Sequence, residues 1–391
     1  MRKTAQPPVK FSFVQRMFLF RHSDLVKAPR NSNFILLSAI VGVLNIIGVI
    51  MVLSASSVSA LGEYGSAWFF FQRQLVWLFL GTVAFVVTSR IPYKFWQKYS
   101  KHIVIISFLL LFVVLIPGIG IEAFGSRRWL GVGTWRFQPS ELAKFALVVF
   151  CADLLTRRVS KMGSFKEIMT PILLTTASMM FLVVIEPDYD STVVLGLIVS
   201  MILVMSGIPF KHLTRIAAPL AVLATLVVFI EPYRRRRIFA FLHPFDDAGN
   251  TGYQIVQSLI ALGSGQTSGV GLGAGKAKWL FLPNAHTDFI FSIIGEELGF
   301  VGTMMVVGLF VAFILLGIRI ILSCTDRFST LMATGIVAWI GGQAIINLMA
   351  VIGLLPVSGI TLPFVSFGGS SLLVSMAATG VLANIARYSR V

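Results

Sequence analysis

Long apolar runs without a charged side chain occupy most of this 391-residue sequence and leave few folds open to it. Each run approaches or exceeds the roughly 20 residues that an α-helix needs to cross a bilayer. Hydrophobic residues make up 56% of the chain and charged residues only 12%, half of the ~25% found in soluble domains. The charge-free runs are 34–62, 74–89, 103–121, 168–185, 191–210, 216–230, 298–318 and 328–386.

The last of these runs is long enough for two spans and a connection. A further helix, which begins near Pro139 and carries Lys144 and Asp153, brings the number to ten. The sequence therefore predicts an all-α polytopic membrane protein with ten transmembrane helices. The first apolar run is too long for the apolar part of a cleavable signal peptide, and a polar stretch precedes it, so we expect no cleaved leader.

The distribution of Lys and Arg predicts the orientation. Residues 1–33 carry seven basic residues, which favours a cytoplasmic N-terminal extension. Ten spans place the C-terminus on the same side, and the segments then facing the cytoplasm hold 21 of the 32 basic residues. The predicted organisation is thus an extension (1–33), a transmembrane domain (34–387) with a large extracytoplasmic loop (231–286) between helices 7 and 8, and a cytoplasmic tail (388–391).

Several classes of function are disfavoured. The net charge of +16 follows from the cytoplasmic basic residues, and no aromatic-interleaved basic domain is present, so we expect no nucleic-acid partner. Cys151 and Cys324 fall near predicted cytoplasmic helix ends and do not form a secreted disulfide framework. The five histidines are scattered, and the run His286-Thr287-Asp288 lacks the spacing of a zinc site.

The stretch 282–291 is the most informative part of the chain for function. It puts Asp288 and His286 at the mouth of a long apolar helix, where ionisable groups are costly and usually functional. The simpler alternative is that Asp288 only caps this helix. Glu296 and Glu297 lie about 12 Å deeper along the same helix, and we expect them to lock bundle helices, with Lys144 or Arg73 as partners.

Basic residues on the predicted outer side need a reason other than orientation. Together they form a surface suited to a phosphorylated ligand, because Arg binds phosphate oxygens in bidentate fashion. Attraction to anionic lipid headgroups is the alternative for each residue taken singly. The members of this set are Arg127, Arg128, Arg234, Arg235, Arg236, Arg237, Lys276 and Lys278.

Three further stretches carry local predictions. Residues 124–138 are expected to be a Gly-punctuated loop, and Glu141 and Lys144 beyond it form either a cap with a local ion pair or part of a polar bundle interior. The stretch 252–263 predicts an amphipathic interfacial helix, and the Gly-rich run 263–275 a flexible loop over a headgroup. The uncharged, Pro- and Gly-containing stretch 353–371 predicts a re-entrant segment rather than a plain turn.

Several of these motifs, in this order, resemble the SEDS family (shape, elongation, division and sporulation), the polytopic peptidoglycan polymerases that include FtsW and RodA. The similarity runs from Phe34 to nearly the end of the chain. The motifs that carry it are 125–131, Gln138-Pro139-Ser140-Glu141, Glu186-Pro187-Asp188, 253–263, 283–299 and 356–371.

Within the family, the runs 295–299 and 361–363 and the polar extension are more similar to FtsW than to RodA. Two positions depart from the usual pattern. Asp190 stands where the family commonly has Gly, and Asn284 where it commonly has an acidic residue. Neither departure changes Asp288, but the consequence of each is open at this point.

The resemblance implies polymerisation of lipid II at the outer face of the bacterial cytoplasmic membrane, for septal wall synthesis. The 4-hydroxyl of one disaccharide attacks the anomeric carbon of a chain that leaves undecaprenyl pyrophosphate, with inversion. It also implies a class B penicillin-binding protein as transpeptidase partner, together with other membrane proteins of the division complex.

The resemblance gives the residues expected roles. Asp288 is the candidate base, since partial desolvation raises a carboxyl pKa towards a useful value. The basic set, with His286, Ser366 and Ser370, is expected to bind the pyrophosphate. Trp129 stacks on a sugar or anchors at the interface. Glu141, Lys144, Glu296 and Glu297 are expected to be structural. No cofactor is required by the sequence, although a divalent cation such as Mg²⁺ would neutralise the leaving group.

Other functions are compatible with the same sequence. A ten-helix protein with buried carboxylates can move lipid II across the membrane, although no internal repeat of the transporter kind is visible. A non-catalytic scaffold that recruits a synthase is a third class, and an elongation polymerase of the RodA type is the nearest alternative within the family.

Overall fold

The structure, a computed structural model, describes residues 32–123, 126–133, 135–215, 241–250, 252–279 and 281–388. It is a bundle of helices with a small sheet at one end. The helices are α1 (Ser32–Tyr64), α2 (Phe69–Arg90), α3 (Tyr93–Lys98), α4 (Ser100–Leu115), α5 (Pro139–Arg157), α6 (Phe165–Ile185), α7 (Tyr189–Met205), α8 (Tyr253–Ser264), α9 (Ile290–Ser323), α10 (Arg327–Val351) and α11 (Gly369–Tyr388).

Six of these helices have the length and mean hydropathy to cross a bilayer, namely α1, α2, α6, α9, α10 and α11. The apolar helices α4 and α7 are shorter, and both end earlier than their apolar runs predicted. Helix α5 carries buried charged residues within its apolar sequence. The polytopic helical membrane fold is confirmed, whereas the predicted extension, the run 216–230, Arg234–Arg237 and the tail lie wholly or largely outside the described residues.

The starts and ends of the helices lie in two groups, one at each end of the bundle. At one end, the Tyr93 hydroxyl donates to Asp326, Arg327 donates to the Leu155 and Ser206 carbonyl oxygens, and Asn384 accepts from the Tyr93 N–H. The other end gathers the starts of α2, α5, α7, α9 and α11 with the ends of α1, α6 and α10. We refer to the latter as the site end.

Three short strands between residues 121 and 137 form an antiparallel sheet, which corrects the prediction of an all-α fold with a loop here. The strands are β1 (Ile121–Ala123), β2 (Ser126–Val132) and β3 (Trp135–Phe137), in the order β1-β2-β3. Leu130 is paired with Phe137, which leaves Gly133 in the turn with φ +60°. The alternating aromatic and polar residues before Pro139 are typical of short strands, and the glycines obscured them.

Residues 353–368, here called the inserted segment, are non-helical as predicted; the part from 360 to 366 is largely buried, whereas the part from 353 to 359 is partly or well exposed. The segment reaches deep into the bundle. A Cβ atom on Gly48, which lies midway along α1, would be 2.6 Å from the Phe364 carbonyl oxygen and 2.8 Å from the Val365 Cα. Only a residue without a side chain at position 48 allows the segment to enter this far.

Helix α9 is broken at Gly299, whose φ of 66° and ψ of −163° are not helical. The break separates a short half, 290–298, from a span, 300–323, that is long enough by itself to cross a bilayer. Backbone from the Gly-rich run fills the gap: Val270 and Gly271 donate to the Glu296 and Glu297 carbonyls, and Phe300 donates to the Gln266 carbonyl. The part of the run from 266 to 271 is therefore bonded into the helix break rather than free, while its predicted position over a headgroup stays a prediction.

Candidate functional site

Asp288 lies in the turn that leads into α9 at the site end, and it is partly exposed. Asn284, with φ 56°, begins this turn, and its carbonyl accepts from the Thr287 and Phe289 N–H groups at 3.1 and 3.3 Å. Asn tolerates the left-handed region better than most residues. The Asn347 amide of α10 donates to the Asp288 carbonyl at 2.8 Å and to the Ile360 carbonyl at 2.7 Å. One side chain thus ties the turn to the inserted segment.

Two carboxylates converge above the inserted segment. Asp190, in the first turn of α7, accepts the Gly359 N–H at 3.0 Å. The position that a Cβ atom on Gly359 would take lies 2.9 Å from Asp190 Oδ2 and 3.9 Å from Asp288 Oδ2. Asp190 is partly exposed, as Asp288 is. Three elements that are distant in sequence therefore bring the two side chains to one place, which sequence reasoning did not predict.

A buried carboxylate two residues earlier fixes the start of α7. Asp188 accepts from Gln138 Nε2 at 2.7 Å and from the Ser140 hydroxyl at 2.9 Å, and it caps α7 by accepting the Ser191 N–H at 3.2 Å. This side chain is only 2% exposed. Asp188 therefore ties the start of α5 to the start of α7, because it accepts hydrogen bonds from both.

Glu186, at the end of α6, is fully buried, and neither of its carboxylate oxygens has a hydrogen-bond partner among the described residues. Burial first, and then the neighbouring Asp188 charge, raise the pKa of Glu186 to about 9, against a smaller opposing effect of Arg128. The Glu186 side chain is thus protonated at neutral pH, and it adds no negative charge to the site end.

His286 is packed between aromatic rings. Its ring centroid lies 4.4 Å from that of Phe70 and 5.8 Å from that of Phe367, and its carbonyl accepts the Phe367 N–H. Burial lowers the pKa of His286 to about 4, with a weaker opposing effect of Glu63. Neutral pH therefore leaves the ring uncharged, and the assignment of His286 to pyrophosphate binding stays a prediction.

The described basic residues are more engaged than the sequence predicted. Arg127 forms an exposed ion pair with Glu122 across the sheet. Arg128 donates to the carbonyls of Glu186 and Pro187, so it fastens β2 to the end of α6 and pairs carbonyls that follow the last turn of the helix. Trp129 is partly buried in β2, and Lys276 is exposed. Arg234–Arg237 lie outside the described residues.

Lys278 is buried and cannot serve as an open phosphate ligand, which corrects its assignment. Its ammonium group donates to Glu297 Oε1 at 2.8 Å, to the Ser54 hydroxyl at 3.1 Å and to the Gly273 carbonyl at 2.6 Å. The exposed fractions of the Lys278 and Glu297 side chains are 4% and 0%. All three ammonium hydrogens are therefore used within the protein.

Glu296 and Glu297 lock elements together as predicted, but with other partners than Lys144 or Arg73. Glu297 binds Lys278 and accepts from the Ser54 hydroxyl of α1 at 2.7 Å. Glu296 accepts the backbone N–H groups of Lys276 and Ala277 at 2.7 and 3.1 Å. The short half of α9 is thus fixed to α1 and to the chain that follows the Gly-rich run.

The ion pair of Glu141 and Lys144 is confirmed, and it lies inside the bundle. Lys144 Nζ is 2.9 Å from Glu141, and it also donates to Gln343 Oε1 at 3.2 Å. The Gln343 amide donates in turn to the Thr361 carbonyl of the inserted segment at 3.0 Å. This network therefore supports non-helical backbone. The side-chain amides of Gln343 and Asn347 were not identified from the sequence, although the two residues lie one turn apart in a charge-free helix.

Ser366 and Ser370 are buried, with exposed fractions of 4% and 7%. The Ser366 hydroxyl oxygen accepts the Leu362 N–H at 2.8 Å and closes a turn within the inserted segment. Ser366 thus has a structural contact, while no ligand contact tests either assignment. Among the described residues, no three of His, Cys, Asp or Glu come together as a metal site.

Comparison with known proteins agrees with the helical membrane fold. The FtsW/RodA/SpoVE family profile, described as "Cell cycle protein", matches residues 34–391. A Geobacter metallireducens protein named "Probable peptidoglycan glycosyltransferase FtsW" is 40% identical over 93% of this chain and 96% of its own length. The Stage V sporulation protein E of Bacillus subtilis is 41% identical over 92% of this chain and 99% of its own.

Two solved structures share the fold. One is described as "Structural coordination of polymerization and crosslinking by a peptidoglycan synthase complex", with a TM-score of 0.76 and 27% identity over 90% of this chain and 97% of that one. The other is the Rod shape determining protein RodA of Thermus thermophilus, with a TM-score of 0.64 and 25% identity over 90% and 96%. The chain belongs to the FtsW/RodA/SpoVE family of polytopic membrane proteins.

Proposed function

We propose that this chain is a peptidoglycan glycosyltransferase of the FtsW type, which polymerises lipid II for septal wall synthesis. Relatives with this name are about 40% identical over nearly the whole chain. The observation that carries the proposal is the position of Asp288: a partly exposed carboxylate at the mouth of a bundle of apolar helices, beside buried non-helical backbone. A lipid-linked sugar phosphate presents its reacting atoms at this depth.

The proposed reaction is an inverting displacement at the anomeric carbon. The 4-hydroxyl oxygen of the acceptor forms a bond to that carbon, while the bond to the diphosphate oxygen breaks and the electron pair leaves with undecaprenyl pyrophosphate. Asp288 accepts the hydroxyl proton. A positioned base of this kind contributes about 10²–10⁴ in rate.

The departing diphosphate needs positive charge. Since Arg127, Arg128 and Lys278 are engaged within the protein, we assign this task to the exposed Lys276 and to Arg234–Arg237, with Trp129 at the sugar. Asp190 and Asp288 offer oxygen ligands of the kind that Mg²⁺ prefers, and Mg²⁺ commonly combines one or two carboxylates with substrate phosphate oxygens. The residues fit such an ion, which would supply charge against the leaving group.

We further propose ten spans with both termini in the cytoplasm and the loop 231–286 outside. Basic residues crowd the end opposite the site, which supports a cytoplasmic location for that end; they are Arg90, Lys94, Lys98, Lys101, Arg157, Arg158, Lys161, Lys166, Arg319, Arg327 and Arg387. Charge of this sign at the cytoplasmic leaflet leaves the site end at the outer face of the cytoplasmic membrane.

A class B penicillin-binding protein is the proposed partner, since one structural relative is part of a peptidoglycan synthase complex. The transpeptidase would crosslink the strands that this chain polymerises. Other membrane proteins of the division complex would bring both to the septum, and the lipid bilayer itself would deliver lipid II and the growing undecaprenyl-linked glycan.

The test is polymerisation of labelled lipid II by the purified chain with its penicillin-binding protein partner, with glycan strands separated on a gel. We expect Asp288→Asn to lower the rate of strand synthesis by at least about 10²-fold. The matched control is Glu167→Gln, which removes an exposed carboxylate at the opposite end of α6, about 30 Å from Asp188. This control is expected to retain activity.

Two outcomes would refute parts of the proposal. Normal strand synthesis by Asp288→Asn would remove Asp288 as base. Wild-type protein that moves lipid II across liposomes without making strands would favour a lipid II transporter instead. Fluorescent fusions separate the two polymerase types, because a division enzyme collects at the septum and an elongation enzyme along the side wall.

A further inference from the structure

A corner of the chain at the end opposite the site end carries lysines and aromatic rings together. The short helix α3 and the first turn of α4 form this corner, which follows directly after α2. Lys94, Lys98 and Lys101 are exposed there, and so are the rings of Phe95 and Tyr99. The Lys98 ammonium group lies 5.5 Å from the centroid of the Tyr99 ring, within the range of a cation–π contact. Cationic and aromatic groups therefore alternate over one exposed surface, here called the lysine corner.

The lysine corner is fixed by hydrogen bonds on either side of it. Before it, the Tyr93 hydroxyl donates to Asp326 at 2.6 Å. Near its end, the Ser100 hydroxyl donates to Asp153 at 2.7 Å, and this carboxylate is 5% exposed and also binds Arg157. The backbone that carries the lysines is thus held in place by carboxylates that bind other groups of the protein.

The three lysines have no carboxylate partner among the described residues, since none of the ion pairs found there includes them. The segment 90–102 contains no Asp or Glu, and it adds Arg90 to the three lysines. The charge that neutralises this surface therefore comes from outside the described residues. An anionic ligand is complementary to it.

An exposed apolar stripe on α4 continues from the lysine corner. Lys101, Ile105, Leu109 and Phe112 follow one another at spacings of four, four and three residues, so they share one face of the helix. The three apolar side chains are 56%, 58% and 61% exposed. From Lys101 to Phe112 the helix rises about 16 Å, about half of the ~30 Å hydrocarbon core of a bilayer. The stripe thus has the length of one leaflet, with its cation at the headgroup end.

A phospholipid presents the same groups in the same order, an anionic phosphodiester headgroup followed by acyl chains. We propose that the lysine corner and the stripe of α4 together bind an anionic glycerophospholipid, with its phosphate at the lysines and an acyl chain along the stripe. Basic clusters beside a membrane span attract anionic lipids, and aromatic rings favour the headgroup level. An acidic protein segment would match the lysines but not the apolar stripe. The inference is independent of the role of Asp288.

The test is binding of phosphatidylglycerol to the purified full chain in non-ionic detergent. Native mass spectrometry at rising lipid concentration gives the dissociation constant of the first bound lipid. The variant combines Lys94→Gln, Lys98→Gln and Lys101→Gln. Since a surface lysine contributes about fivefold to the affinity for an anionic membrane, we expect this variant to bind phosphatidylglycerol on the order of 10²-fold more weakly.

The matched control combines Arg158→Gln, Lys161→Gln and Lys211→Gln, which removes the same charge from the same end of the bundle. Arg158 and Lys161 already bind Glu167, so this control should weaken binding by no more than about fivefold. Tryptophan fluorescence verifies that both variants are folded. An equal loss of affinity in the lysine variant and in the control would overturn the inference, because binding would then follow the total charge.

Three further ligands identify what the surface recognises. Phosphatidylcholine has the chains without the net negative charge, and glycerol phosphate has the charge without the chains. Both should bind at least about tenfold more weakly than phosphatidylglycerol. Equal affinity for glycerol phosphate would overturn the inference in favour of a site for free phosphate groups. A glutamate-rich peptide that binds more tightly than phosphatidylglycerol would overturn it in favour of a protein partner.

Discussion

Breaking the buried ion pair of Lys278 and Glu297 should destabilise the protein far more than breaking an exposed one. The Glu297 side chain is fully buried, and it is bound by Lys278 at 2.8 Å and by the Ser54 hydroxyl at 2.7 Å. Lys278→Met removes the ammonium group and leaves a buried carboxylate with one hydroxyl donor. Loss of one partner from such a pair costs about 3–5 kcal/mol, because the remaining charge stays desolvated.

The assay is denaturant unfolding in detergent followed by tryptophan fluorescence, which reports the free energy of unfolding. A loss of about 3–5 kcal/mol in the free energy of unfolding raises the unfolded-to-folded ratio roughly 10²–10⁴-fold, since about 1.4 kcal/mol is a factor of ten. The double variant Lys278→Met with Glu297→Leu should recover most of the loss, because apolar replacement of both members of a buried pair is often neutral or stabilising.

The matched control is Lys161→Met, which breaks the exposed pair of Lys161 with Glu167. Exposed pairs contribute about 0–1 kcal/mol, so this change should be nearly silent. The reasoning is refuted if Lys278→Met and Lys161→Met lower the free energy of unfolding equally. It is also refuted if the double variant is less stable than Lys278→Met alone.

Three further outcomes are expected. Gly299→Ala should destabilise the protein strongly in the same unfolding assay, because Gly299 has φ 66° and a Cβ atom there would lie 2.3 Å from the Gly269 nitrogen. The control is Gly308→Ala on the same helix, where a Cβ atom would have nothing within 4 Å, so this change should not destabilise the protein. The low pKa of His286 means that the unfolded chain binds the proton more tightly, so stability should fall as pH drops from 6.5 towards 4, and His286→Phe should reduce this loss. A membrane-impermeant thiol reagent should label Lys276→Cys from outside intact cells and leave Lys166→Cys unlabelled; the reverse pattern would contradict the orientation.

The helical fold could be predicted from the sequence because hydrocarbon imposes one rule on it. Each charge-free run must pair its own backbone N–H and C=O groups, because the bilayer core offers no water, and a helix pairs these groups within the run. The described helices therefore follow the runs to within a few residues, and Pro139 begins α5 as a first-turn proline should. The inserted segment was predictable for the same reason, since its Pro and Gly residues do not favour a continuous helix.

The partners within the site could not be predicted in this way. Whether Lys278 faces a ligand or Glu297 depends on how the Gly-rich run enters the break at Gly299, and this is a tertiary contact. The same applies to Asp190 and Asp288, which are far apart in sequence and both approach Gly359 of the inserted segment. Residue type indicated which side chains were costly to bury, but only the packing determined what each one binds.

The polar residues of the site end fall into two groups with different tasks, and this division supports the proposal that the chemistry occurs at the mouth. Deep side chains stabilise interrupted backbone: Gln343 binds the Thr361 carbonyl, Asn347 the Ile360 and Asp288 carbonyls, and Glu296 the N–H groups before α9. Without them, the inserted segment and the broken helix would expose unpaired groups to hydrocarbon. Asp190 and Asp288 lie above this support and remain partly exposed. A carboxylate on rigid but non-helical backbone can face a substrate from the lipid surface, which a side chain within a continuous span cannot do.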